Sequence, residues 1–411
     1  MHKRPSSSQS LMKGRLVIVI VLLALLSGFV FSAARSAGTY YVSTRGSDSN
    51  SGSLAAPWRS ITHASNVVHG GDTVVVEDGT YNLPAGGSFG GSLAGDWAIG
   101  SNGSAGHAIT YVAQHKWHAK LVGHGTGAGS TVVGIHGGYN IIQDFDITGS
   151  DAAGIILATA GTSANHNKAV GNYVHDIVAP CDSNGGSGIN SGAGGNYTGI
   201  DHNDIIGNLV VNVTTAGAST CSMRTTVGVY EAVPYGTVAN NIVINAGYAI
   251  QSWHAARDLV IFGNTELNSV KGIIVGAGDS PGGTNDNTLV QNNIVVNNSV
   301  AGVVEEKNTG AHNRYIDNLV YGNKSNISLH NGIAASGTVF ADPLFINNTG
   351  TGAGDYHLQS TSPAIGTGLA LVGVATDYFG AIRPELGPTD IGAILHSATG
   401  VPPARISQGP R

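Results

Sequence analysis

Asn241-Ile-Val-Ile-Asn-Ala-Gly-Tyr-Ala-Ile250, Asn264-Thr-Glu-Leu-Asn-Ser-Val-Lys-Gly-Ile273 and Asn293-Ile-Val-Val-Asn-Asn-Ser-Val-Ala-Gly-Val303 are three copies of one unit. Each opens on Asn, crosses a short apolar run and meets a small residue followed by Ile or Val 8, 8 and 9 residues later. Outward from these copies, Asn recurs before Tyr-Val at 172 and before Leu-Val at 208 and 318, so the Asn-to-Asn steps are 36, 33, 23, 29 and 25 residues. Asp144-Phe-Asp-Ile resembles an earlier member, and the small-Ile pair recurs at Gly154, Gly188, Gly228 and Gly332. No helical period runs through this region, and no four-strand blade with an aromatic signature repeats. Short strands in units of 23 to 36 residues predict a parallel β-solenoid, in which each coil buries its Ile or Val against the same position of its neighbours. Asn at one turn of every coil would then stack into a ladder, each amide bonding the coil beside it.

Composition agrees. Of 411 residues, 61 are Gly, about twice the usual share, without the three-residue period of collagen. Charged residues make up 11% and aromatics 6%, while 41% are hydrophobic, which excludes both a charge-rich helical enzyme and global disorder. A formal charge of −6 with 19 basic residues speaks against a nucleic-acid partner. The fold class expected is all-β, with one solenoid domain over 35–396 that includes an N-terminal cap at 40–81 and an end segment at 341–396. A tail at 397–411 follows.

Residues 1–34 carry Lys3, Arg4, Lys13, Arg15 and an apolar run from Leu16 to Leu26, and they end in Ser32-Ala-Ala34. This pattern describes a secretory signal peptide, and an uncleaved anchor is its alternative. Either reading places the domain outside the cytoplasm, with membrane contact only if the segment is retained; a monomer is expected. Loss of this segment takes the formal charge from −6 to −10. Cys181 and Cys221 each stand seven residues before a Gly of the repeat, Gly188 and Gly228. Equal offsets on adjacent coils suit a disulfide in an exported chain.

The opening Tyr40-Tyr-Val-Ser-Thr-Arg-Gly-Ser-Asp-Ser-Asn-Ser-Gly-Ser-Leu-Ala-Ala-Pro-Trp58, the stretch Gly71-Asp-Thr-Val-Val-Val-Glu-Asp-Gly-Thr-Tyr81 and the ending Asp355-Tyr-His-Leu-Gln-Ser-Thr-Ser-Pro-Ala-Ile365 with Asp390-Ile-Gly392 resemble exported right-handed parallel β-helix proteins of the pectate-lyase-like superfamily. The resemblance implies a right-handed parallel β-helix with a capping helix and an action on polysaccharide. Lyases, hydrolases and surface proteins share the fold, so it does not choose among them. The polygalacturonase-like pattern of Asn-Thr-Asp with Asp-Asp is not met, since Asn264-Thr-Glu266 is the nearest string and no Asp-Asp occurs. Ile200-Asp201-His202 resembles a fragment of a pectate lyase motif, and no catalytic residue is carried over.

Spacing from the small-Ile pair to the next Asn is 13, 15, 21 and 16 residues in the coils that start at 228, 249, 272 and 302, so this side of the solenoid varies while the other stays tight. Variable loops on a rigid frame are where function collects. Ionisable and aromatic residues gather there: Tyr230-Glu231, Trp253-His254, Lys271, Asp279 and Glu305-Glu306-Lys307. Counted from the Ile or Val, Glu231 and Glu305 share one register and His254 and Lys307 another, spanning roughly 15 Å over four coils. A uronate lyase needs a cation for the carboxylate, a base for the C5 proton and an acid for the leaving oxygen. His254, Tyr230, Lys271, Glu231 and Glu305 are the catalytic candidates, with Trp253, Arg224 and Lys307 for substrate. Glu231, Glu305 and Glu306 are candidate ligands for Ca²⁺. A hydrolase would use two of the carboxylates instead, with Trp253 and Tyr230 against sugar rings. A non-catalytic carbohydrate-binding or surface protein is the reading from a different class. Asp201, His202 and Asp204, and His175-Asp176, read as polar turn residues, and His115 with His118 lacks a metal-ligand set.

Overall fold

The computed structural model describes residues 35–82, 94–125, 130–159, 164–181, 185–192, 199–217, 226–278 and 283–396. Its strands form three long parallel sheets that the chain visits in rotation. The first has 10 strands, from Thr39–Val42 to Arg314–Ile316. The second has 9, from Gly79–Asn82 to Leu319–Tyr321, and the third 9, from Ala94–Ile99 to Ile327–Ser328. Every strand in them pairs with the equivalent strand one coil away, so the sequence repeat and the structural repeat coincide.

Like sits on like inside the coils. Val133, Ile155, Ile189, Val229, Ile250, Ile273, Val303 and Ile327 make one row of the third sheet. The small residue before each of the central members lets the strand bend inward: a Cβ on Gly228 would come within 2.4 Å of the Val243 side chain. The pair Gly332-Ile333 proves not to be a member, because the row ends at Ile327 and Ile333 packs from beyond it, with Leu329, against the last coil. Asn172, Asn208, Asn241, Asn264, Asn293 and Asn318 form the expected ladder at the tight turn between first and second sheets. Each backbone N–H in this series donates to the next Asn Oδ1 at 2.9 Å. Each side-chain amide also bonds that oxygen and a carbonyl of the preceding coil, as Asn241 Nδ2 does to Ile205 O at 2.8 Å. All six are buried. A second ladder the sequence did not disclose joins Asn140, Asn167 and Asn203 at 2.7 and 2.8 Å.

In the second sheet Val174, Val210, Val243, Glu266, Val295 and Val320 occupy one inward row. Glu266 is fully buried, and neither carboxylate oxygen has a hydrogen-bond partner. Burial therefore drives its pKa well above the ordinary 4.5. A carboxyl that keeps its proton in the fold but loses it in the unfolded chain stabilises the fold fully below the unfolded pKa, and that contribution is lost as pH rises. Denaturation at pH 8 against pH 5 should show this loss, and Glu266→Val, close to Glu in volume, should restore about 1–3 kcal/mol at pH 8. An unchanged pH difference in the variant would contradict this account of Glu266.

The ends differ in their treatment. Helix Ile61–Val67, capped by Ser60 Oγ accepting from His63 N at 3.1 Å, turns Ile61 and Ala64 into the first layer of the core. Residues 341–396, expected as an end segment, do not continue the coils. They fold back along the outer face of the second sheet, where Phe345, Tyr356, Leu358, Ile391 and Ile394 cover Leu209, Ile242, Ile244, Leu267, Ile294 and Leu319. Arg383 fastens this strap: its guanidinium is buried and donates to Asn240 Oδ1 at 3.0 Å and Gly392 O at 2.6 Å.

Candidate functional site

The third sheet presents its outward side chains at Tyr230, Gln251, Ile274 and Val304, paired in one row across four coils. Tyr230 is half-buried, and the ring of His254 from the next coil stands edge-on to it at 5.8 Å between centroids and 88° between planes. His254 sits just beyond the strand Tyr248–Ser252 with φ 52°, where the chain leaves the sheet. Its neighbour Trp253 lies against Ile274, Ala301 and Val304. The indole can lie there because Gly276 and Gly278 have no side chain; a Cβ at either would come within 2.6 or 2.1 Å of the ring. Lys271 opens the next strand, forms an ion pair with Glu306 and places its ammonium 4.9 Å from the centre of the Tyr248 ring. Lys307 is exposed and pairs in register with Ala277. Arg224, Asp279 and Cys221 lie outside the described residues.

Two of the candidate acids are misplaced by the sequence reading. Glu231 pairs with Ser252, Ser252 with Val275 and Val275 with Glu305, so the shared register holds. The row, however, faces inward. Strand side chains alternate, and a residue two places after the inward Val229 is inward again. Glu231 is fully buried and burial drives its pKa well above the ordinary 4.5. Its Oε1 accepts from Val233 N at 3.3 Å, and Oε2 has no partner. Glu305 accepts from Tyr315 Oη at 2.9 Å, Asn313 Nδ2 at 2.9 Å and His330 N at 2.7 Å, which ties the last coils together. Neither acid can be a catalytic group on the outer face of the third sheet. Nor do Glu231, Glu305 and Glu306 form a Ca²⁺ site, since two point into the core and the third is paired to Lys271 outside it.

Other polar groups gather where the sequence showed only turns. His175 lies on the strand Tyr173–Ala179 rather than in a turn, and its Nε2 and Nδ1 bond Asp146 at 2.8 Å and Asp176 at 2.7 Å. Burial opposes its charge, but the two carboxylates prevail and raise its pKa. His115 and His118 flank Asp78 at 2.9 and 3.7 Å. At the corner between third and first sheets, Tyr139, His166, His202 and Tyr235 stack in series, with centroids 4.5, 4.7 and 5.0 Å apart. The sequence does hold this signal: His166, His202 and Tyr235 each stand six residues before a ladder Asn, at 172, 208 and 241.

Residues 40–216 match a family model described as Pel9A-like, right handed beta helix region. The crystal structure of pectate lyase Pel9A superposes with a TM-score of 0.55 at 14% identity, over 89% of this chain and 98% of that one. A rhamnogalacturonan lyase does so with a TM-score of 0.50 at 17% identity, over 75% and 91%. Protein YwoF of Bacillus subtilis (strain 168), described as uncharacterized, is 25% identical over 176 residues, 39% of this chain and 35% of its own length. The chain thus spans about a third of that relative. These likenesses establish the architecture: the solenoid is a right-handed parallel β-helix, the fold of pectate lyase Pel9A.

Proposed function

We propose that this chain is an exported carbohydrate-active protein, a lyase that cleaves a uronate-containing polysaccharide by β-elimination on the outer face of the third sheet. The supporting observation is the arrangement of proton-handling groups. Tyr230 and His254 meet edge-on on that face, whereas Glu231 and Glu305, the pair a hydrolase would need, are sealed inside. In the reaction His254 takes the proton from C5, the C4–O bond breaks as the C4=C5 double bond forms, and Tyr230 returns a proton to the leaving oxygen. Lys307 stands two coils beyond His254 and supplies positive charge for the uronate carboxylate; Trp253 offers a ring edge to the sugar. Lys271 serves as the partner of Glu306 and not as the base. Kinship in fold with proteins titled pectate lyase and rhamnogalacturonan lyase supports the substrate class.

Incubation of the purified protein with a panel of polyuronates, with Ca²⁺ and with chelator, tests the reading. Products absorbing near 235 nm, as a conjugated unsaturated uronate does (roughly that wavelength, from the enol-type double bond formed in elimination), are expected. New reducing ends without absorbance would make it a hydrolase, and glycan retention without products a binding protein. Export rests on the first 34 residues, which lie outside the described ones; no described helix is long and apolar enough to cross a membrane. The Cys181–Cys221 bridge belongs to the same proposal. Thiol labelling should find no reactive cysteine before reduction and 2 after it, and label taken up before reduction would refute the bridge.

A further inference from the structure

We propose that His166, Asp201 and His202 bind a late first-row divalent ion, of which Zn²⁺ is the type. One ligand atom from each lies within 4.8 Å of those of the other two. His202 Nδ1 stands 3.1 Å from Asp201 Oδ1. Ligands around a tetrahedral zinc are roughly 3.3–3.5 Å apart, so modest side-chain rotation at these accessible positions closes the set.

Position in the fold argues for this ligand and against a sugar. His166 and His202 occupy equivalent corners of adjacent coils, with φ 56° and 54°, and the coil spacing stacks their rings at 4.7 Å and 23°. Tyr139 covers the far face of one imidazole and Tyr235 that of the other. Arg257 in turn lies over Tyr235, its guanidinium 4.9 Å from the ring centre, and donates to the phenol oxygen at 2.6 Å. With both faces of each imidazole covered, neither histidine offers a platform to a pyranose. The ring edges remain, and an edge presents nitrogen lone pairs in the ring plane, where a metal ion is taken. Two imidazoles with one carboxylate suit zinc and its neighbours in the series over Ca²⁺, which selects oxygen. His202 is exposed, so the remaining coordination positions open to solvent.

Untagged, chelator-stripped full chain titrated with zinc chloride in a calorimeter should bind one ion, and calcium chloride should not compete. His166→Phe with His202→Phe keeps the aromatic stack, since Tyr occupies the same corner one coil away on either side, but removes both nitrogens. This variant should melt like the parent and lose zinc affinity by at least about tenfold, as should Asp201→Asn. His115→Ala with His118→Ala, at the other histidine cluster, should bind zinc like the parent. No zinc binding by the parent, undiminished binding by the Phe variant, or loss that follows His115 and His118 would each overturn the assignment.

Discussion

Asn241→Ala should cost about 3–5 kcal/mol and move the denaturant midpoint accordingly, one of the largest single-residue losses in the molecule. The side chain accepts from the Asn208 amide N–H and side chain at 2.9 and 3.0 Å and donates to Ile205 O and Asn264 Oδ1 at 2.8 and 3.0 Å. Truncation leaves the groups of two neighbouring coils buried with no water to replace it, and that penalty exceeds the worth of the bonds themselves. Asn245→Ala provides the comparison. Asn245 belongs to an exposed row in which its Nδ2 donates to Asn212 Oδ1 at 2.7 Å, and water takes over that role. Its loss should cost only about 1–2 kcal/mol, most of it the strain of Ala at φ 56°, where Asn is at ease. Equal costs at the two positions would mean that the buried ladder contributes no more than the exposed one.

Loss of product formation by about 10²–10⁴-fold is expected for His254→Ala, with kcat falling and KM little changed, if the imidazole removes the C5 proton. Tyr230→Phe keeps the edge contact and removes the proton to be returned, so kcat should fall there too. Trp253→Ala should act on KM instead, because the indole meets sugar and no reacting bond. Glu231→Gln discriminates among mechanisms. The carboxyl is sealed inside the barrel, out of reach of substrate, so the amide should leave turnover near the parent value, whereas a hydrolase relying on that acid would be silenced. Full activity in both His254→Ala and Tyr230→Phe would remove the outer face of the third sheet from consideration.

Much of this architecture was legible in the residues. A buried amide that must bond the next coil recurs over six successive coils, and the Asn spacing therefore exposes the solenoid directly. Register was legible as well, since Glu231 and Glu305 do fall on one row. Their orientation does not stand out although alternation from the inward Val229 predicts it: acids ordinarily face water, and a carboxyl bonded inside the barrel, as Glu305 is to Tyr315 and Asn313, is the exception to that rule. The stacked corner of Tyr139, His166, His202 and Tyr235 escaped because one row of Asn had already explained the repeat, and mixed Tyr and His hide a constant position. The strap from Phe345 to Ile394 was beyond reach on other grounds. Its apolar residues follow no coil period, and only the face it covers gives them a common purpose.

That strap also dictates an order of events. A polypeptide that emerges amino end first can wind its coils one upon another as they appear, but Leu209, Ile242, Leu267 and Ile294 on the outer flank wait for a cover encoded more than a hundred residues after the first of them. Until Arg383 reaches Asn240, this flank is a sticky, half-dressed surface facing whatever shares the compartment, so a ribosome that stops early releases a rod with its side open.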